Sequence, residues 1–112
     1  MEVTRENTLG IDLETTYSTA VYEDSNGLLQ NVDDGNGTVY IPSVVCGYNQ
    51  LIVGCPAKKA QSLHPNSTAY EFKRLVARDY NDPVVERLKS QWPFKVVPNK
   101  KGIAAIQLEW QG

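Results

Sequence analysis

The chain has 112 residues, 41% of them hydrophobic and 21% charged, with 13 acidic against 11 basic side chains. That is an ordinary globular composition with room for one domain at most, and it excludes disorder, collagen and coiled coil. No apolar run approaches the ~18 residues of a membrane span, and the opening "MEVTRENT" is polar without an apolar core; a cytoplasmic chain, neither exported nor membrane-spanning, is expected.

The net charge of −2 hides an asymmetry. Residues 1–54 carry eight acidic side chains against Arg5, a balance of −7, and residues 55–112 carry ten basic against five acidic, a balance of +5. The basic residues are scattered among acidic ones and not interleaved with aromatics, which argues against a nucleic-acid surface and for attraction between the halves or a shared anionic ligand.

In chain order, "TLGIDL" and "YSTAVYED" alternate apolar and polar residues about a short turn, "DSNG" turns the chain, and "LLQNV" returns. Period two on each side predicts a meander of three antiparallel strands. "DDGNGT" is a loop; beyond Pro42, "SVVCG" and "LIVG", parted by the turn "YNQ", predict a second hairpin. "PAKKAQSL" predicts a short helix closed by His64-Pro65, since the residue before proline avoids the helical region. Thr68 with Glu71 three places on has the form of a capping box, and Phe72, Leu75 and Val76 share one face, so a helix is expected from 69 to about 77. Asp82-Pro83 opens another, "PVVERLKSQ". "FKVV", the turn "PNKKG" and "IQLEW" predict a last hairpin with Ile106, Leu108 and Trp110 on one face. Two helices cannot cover three pieces of sheet, and the first meander is apolar on both faces, so the chain reads as part of a larger fold. Alone, it is expected to self-associate through the uncovered sheet.

Site chemistry has few candidates. Cys46 and Cys55 lie outside any C-x-x-C or histidine-rich setting and read as reduced, inert thiols. Asn36-Gly-Thr38 and Asn66-Ser-Thr68 spell glycosylation acceptors but read as turn and cap chemistry in a cytosolic chain. His64 is the sole histidine, so no histidine-based triad or metal cluster can be built. What remains is Asp12 at a strand end, followed by Thr15, Thr16 and Tyr17. Such a turn can aim amides at a phosphate, and one carboxylate beside it can hold a hydrated magnesium ion. It can equally be a solvated hairpin turn, and Lys73, beside the apolar stripe of its helix, can equally be surface decoration.

"GIDLETTYSTAVYED", "PSVV", "VGCPAKK", "PNSTAYEFKRLVAR", "DPVVERLKSQWPFKVV" and "IQLEW" follow one another in the order and rough spacing of the start of the seventy-kilodalton heat-shock protein family of ATP-driven chaperones, which the chain resembles from about Thr8 to Gly112. The resemblance implies a mixed α/β fold rich in antiparallel sheet: a fragment of an actin-like (ribonuclease H-like) ATPase domain, lobe one. Residues 1–41 would form the inner subdomain with the phosphate-1 hairpin and 42–112 the outer subdomain. It implies that Asp12 holds a magnesium shell through water, that Thr15 and Tyr17 touch ATP or ADP phosphates with Thr16 alongside, and that Lys73 reaches the γ-phosphate and orients the attacking water. Unfolded polypeptide clients and co-chaperones would be partners of the whole protein. The remaining metal-shell, phosphate and adenosine segments of the family lie beyond these residues, so this chain alone is expected not to hydrolyse ATP, which requires metal, nucleophile and charge clamp together.

Three features depart from the family. Its "IGR" is "VAR" here, placing Ala77 where glycine is usual, and the "DGNGTVYIPS" loop is longer by about two residues. Above all, Glu14 stands where the family's phosphate hairpin has glycine. A carboxylate ~4 Å from a phosphate charge at an effective dielectric near 20 is opposed by about 4 kcal/mol, roughly a thousandfold in affinity. A positive φ at this position would cost on the order of 1 kcal/mol more. Three readings stay open: the side chain swings outward, the site binds nucleotide weakly or not at all, or the residue was introduced deliberately. Two functions therefore compete, the opening segment of an ATP-dependent chaperone and a non-catalytic interaction module with a vestigial site. A third, a sugar kinase of actin-like fold, shares the hairpin but lacks "EFKRLVAR" and "WPFKVV".

Overall fold

A computed structural model describes residues 8–109, and it is a mixed α/β arrangement of three antiparallel sheets and two short helices. Strands β1 (Leu9–Leu13), β2 (Tyr17–Glu23) and β3 (Leu29–Asn31) form the expected meander. A short strand not foreseen, β4 (Ile41–Pro42), pairs with the first residues of β2, opposite Tyr17 and Ser18. Register sets the faces. Asp12 pairs with Thr19 and Leu13 with Ser18, so by strand alternation Asp12 and Thr19 look to one side of the sheet while Leu9, Ile11, Leu13 and Ser18 look to the other.

The second sheet has the order β6 (Ile52–Val53), β5 (Val44–Cys46), β7 (Thr68–Tyr70). Helix α1 (Cys55–Ala60) seats Ala57 against Val44 and Cys46. Gly54 delivers the chain from β6 into α1 at φ 82, and a Cβ there would meet Ile41 Cγ2 at 3.0 Å, so glycine is required on both counts. The helix ends three residues short of Leu63, residues 61–63 forming a turn ahead of His64. Both cysteines are free thiols, Cys46 buried and Cys55 half-buried.

The helix expected over 69–77 does not form. Thr68–Tyr70 is strand β7, Val44 facing Tyr70 and Cys46 facing Thr68. The Thr68 hydroxyl donates back to the His64 carbonyl at 2.7 Å, Thr68 itself is held in the strand ladder opposite Cys46, and Glu71 sits in the left-handed region at φ 54, outside helical geometry. Only a 3-10 turn, Phe72–Leu75, follows. Pairing to an open edge of β5 thus overrides a capping pattern whose reciprocal bonds need Thr68 at the start of a helix. Of the proposed stripe Leu75 is buried, whereas Val76 is 65% exposed.

Helix α2 (Pro83–Lys89) starts as anticipated, the Asp82 carboxylate accepting the Val84 N–H at 2.8 Å. It packs with the hairpin β8 (Lys95–Pro98) and β9 (Ala104–Gln107) around the main core of Leu75, Val85, Leu88, Trp92, Phe94 and Val96, with Ile106 and Leu108 against it. Trp110 lies outside the described residues. Phe94 is stacked on Trp92 at 4.8 Å and meets Tyr70 edge-on at 5.3 Å. Because Tyr70 touches both clusters, the second and third sheets are packed into one body. By contrast no residue from Thr8 to Ile41 is buried.

Candidate functional site

The turn Glu14–Thr16 joins β1 to β2 and borders an open cleft of about 400 Å³ lined by Asp12, Glu14, Thr15, Thr16, Tyr17, Thr19 and Tyr40. The sequence candidates at the N-terminal end are therefore brought together: Asp12 from the last part of β1, Thr15 and Thr16 from the turn, Tyr17 from the start of β2. Asp12 and Tyr17 share the Thr19 face by alternation, which is why a strand-turn-strand of this length gathers a carboxylate, two hydroxyls and a phenol on one cleft.

Lys73 comes to the same turn from the other body. The left-handed Glu71 bends the chain out of β7 into the 3-10 turn, and the Lys73 Nζ then stands 3.4 Å from the Glu14 Oε2, fifty-nine positions away in sequence. Both partners are substantially exposed, with 43% and 58% of their side chains accessible. An ion pair in that setting is worth about 0–1 kcal/mol. It pairs the Lys73 ammonium with the turn but is too weak to lock it there.

Glu14 is thus exposed but paired with Lys73, and its backbone is unstrained. Among the described residues the only non-glycine positions with positive φ are Glu71 and Ala77, so the conformational cost contemplated for Glu14 is absent and only charge and bulk remain. Its exposure also moderates the repulsion. Between the dielectric limits of bulk water and a protein surface, opposition to a phosphate charge ~4 Å away runs from about 1 to about 4 kcal/mol.

Two contributors escaped sequence reasoning. Lys58 of α1 lies 5.4 Å from the centre of the Tyr17 ring, with its Nζ 3.5 Å from the phenol oxygen. Ser43 holds the turn itself, its hydroxyl donating to the Glu14 carbonyl at 2.8 Å. The one available signal was a lone small polar residue between Pro42 and an apolar run.

As to metal, no group of three or more His, Cys, Asp or Glu side chains among the described residues could form a cage. Asp12 alone, in a cleft lined by hydroxyls, suits a magnesium ion that keeps most of its water and takes its other ligands from phosphate oxygens. It does not suit a structural metal.

Comparison with known proteins agrees with this architecture. The family model described as "Hsp70 protein" matches residues 8–112. The chain is 36% identical over 104 residues to "Chaperone protein DnaK" of Carsonella ruddii, covering 90% of this chain and 17% of that protein. Against "Heat shock cognate HSP70 protein" of Trypanosoma brucei brucei it is 37% identical over 112 residues, covering 98% and 16% respectively. It is also 37% identical over 106 residues to "Heat shock 70 kDa protein" of Emericella nidulans, covering 93% and 16%. The chain belongs to the Hsp70 protein family, and it spans about a sixth of the length of these curated relatives.

Proposed function

We propose that this chain is the opening segment of the nucleotide-binding domain of an ATP-dependent molecular chaperone, in lobe one of an actin-like ATPase fold. In this reading residues 1–41 are the inner part and 42–112 the outer part. Asp12 holds magnesium through water, Thr15 and Tyr17 with Thr16 contact the ATP or ADP phosphates, and Lys73 reaches the terminal phosphate. The chain contributes part of that site without hydrolysing ATP alone. Unfolded polypeptides and co-chaperones are partners of the whole protein, in the cytoplasm.

One observation carries the proposal: Lys73 and the turn after Asp12 come from separate bodies and still meet, the lysine 3.4 Å from Glu14 on that turn. Carboxylates and paired threonines lining an open cleft, with an ammonium paired to Glu14 beside it, have the chemistry of a phosphate-and-magnesium surface. Glu14 then acts as a resident anion that a phosphate has to displace from Lys73.

The test is calorimetry on a full nucleotide domain made by joining this chain to the remaining domain segments of a DnaK relative. Glu14→Gly should tighten ATP binding at least tenfold, and Glu14→Gln should recover most of that gain if charge, not bulk, is responsible. Equal affinities across the three proteins would refute the role given to Glu14. The second reading, a docking module with a vestigial site, is favoured by the Glu14–Lys73 pairing itself. It predicts no ATP binding in any of the three.

A further inference from the structure

Ser43 follows Pro42 at the end of β4 and is buried, with 6% of its surface exposed. Its Oγ lies 2.8 Å from the Glu14 carbonyl oxygen and 2.8 Å from the Ser18 Oγ. A serine hydroxyl carries one proton. With that proton directed to Glu14, Ser18 must be the donor to Ser43, giving the relay Ser18 O–H to Ser43 O–H to Glu14 C=O. The Ser43 backbone N–H donates in addition to the Thr16 carbonyl at 2.9 Å. One residue therefore takes the carbonyls at both ends of Glu14-Thr15-Thr16.

The direction of that grip matters. Ser18 pairs with Leu13, on the face opposite Asp12 and Thr19, so the relay pulls from the side of the sheet away from the Asp12 cleft. No peptide bond among the described residues is cis. In a planar trans peptide the N–H points opposite to its C=O. Drawing the Glu14 and Thr16 carbonyls toward Ser43 accordingly turns the Thr15 and Tyr17 N–H groups away from it, and keeps two electronegative oxygens from facing an anion.

We propose that Ser43 is a positioning residue for the phosphate turn, setting the peptide orientations of Glu14–Tyr17 through its hydroxyl and amide together. The functional half of this inference rests on the nucleotide reading above; the geometric half does not. A chain carrying Ser43→Ala keeps its own backbone N–H, so amide exchange at position 43 reports on the turn directly. Losing one net hydrogen bond of about 1 kcal/mol corresponds to exchange about fivefold faster there. Val45 and Ala69, in the β5–β7 ladder, should be unaffected, and Ser43→Thr should restore protection. No change at position 43, or the same acceleration at all three amides, overturns the proposal. If Ser43→Ala does not fold, Ser18→Ala serves instead: it removes the first donor of the relay and should speed the same amide by a smaller factor, and an unchanged rate overturns the proposal. In a second arm magnesium-ATP is added to the full nucleotide domain joined as described above, in its unmutated, Ser43→Ala and Ser43→Thr forms. Shifts of the Thr15 and Tyr17 amide resonances should be lost in the first variant and kept in the second; their survival in Ser43→Ala overturns the positioning role. Silence in all three proteins, with the exchange pattern intact, sinks the nucleotide reading and leaves the grip of Ser43 standing.

Discussion

Ala77 and Glu14 stand at two positions where the heat-shock family usually carries glycine, and the physical consequences differ. Ala77 has φ 61, a left-handed backbone in which a Cβ crowds the following carbonyl at a cost of roughly 1–2 kcal/mol. Glu14 stays at negative φ, so its substitution leaves the backbone unstrained and acts on the charge of the cleft. The two therefore separate stability from binding. Ala77→Gly should stabilise the chain by about 1 kcal/mol, because glycine removes the strain and gives back part of it in unfolded-state entropy. For a domain of this size that is a rise of about 4 °C in the melting temperature. A melt that is unchanged or lower would mean that position 77 is not left-handed in solution. The same substitution at Glu14 has no strain to relieve, and under the proposed function its effect is to be read in nucleotide affinity.

At the scale of elements, the Asp24 turn shows how a side chain holds two strands in register. The Asp24 carboxylate accepts from the Leu28 N–H at 3.0 Å, the Gln30 side-chain amide at 3.0 Å and the Asn26 N–H at 2.9 Å, bridging β2 to β3. The Leu28 bond first, then Gln30 and Asn26, hold its pKa below the usual aspartate value. A carboxylate whose folded pKa is depressed stabilises above its unfolded pKa, about 3.9 for aspartate, and that contribution disappears as pH falls through the lower folded value. The turn should therefore be intact at neutral pH and loosen in acid, below the range in which an ordinary aspartate titrates. An acid titration following the Asn26 and Leu28 amide resonances checks it: Asp24→Asn should flatten the transition, and a midpoint at or above the ordinary aspartate value would contradict it. This turn was legible in advance because "DSNG" carries its own chemistry within four residues, and so were the Asp82 cap and the strand periodicity around Gly10 to Glu23. Thr68–Tyr70 was misread for the opposite reason. Its fate is decided by β5, more than twenty residues upstream, while Thr68 and Glu71 offer a local pattern that points to a helix. The site divides in the same way. Asp12, Thr15, Thr16 and Tyr17 are contiguous and could be read together, whereas Ser43 and Lys58 reach the turn only through the pairing of β4 with β2 and the placement of α1.

Across the whole molecule the apolar burial is lopsided. Among the described residues every buried hydrophobic core side chain lies between Val44 and Val96, while in the first meander Leu9 is 55%, Ile11 66% and Leu13 46% exposed. These three share one face of β1, and within the described residues β1 pairs only with β2, leaving its other edge with open backbone donors and acceptors. An apolar face beside an unpaired edge favours association, through both hydrophobic burial and strand addition. Light scattering of the chain across a concentration series should accordingly show oligomers growing with concentration. Ile11→Lys should shift that distribution toward monomer, because a charge at the centre of the Leu9–Leu13 face cannot be desolvated cheaply. Since Ile11 is mostly exposed, the same variant should melt within about 0.5 kcal/mol of the parent chain, as surface substitutions do. Phe94→Ala, at 2% exposure in the main core, gives the contrast, with a loss of about 3–5 kcal/mol in stability. A parent chain that remains monomeric at high concentration would show that the meander is protected without a partner; a monomeric Ile11→Lys chain beside an oligomeric parent would locate the contact on β1.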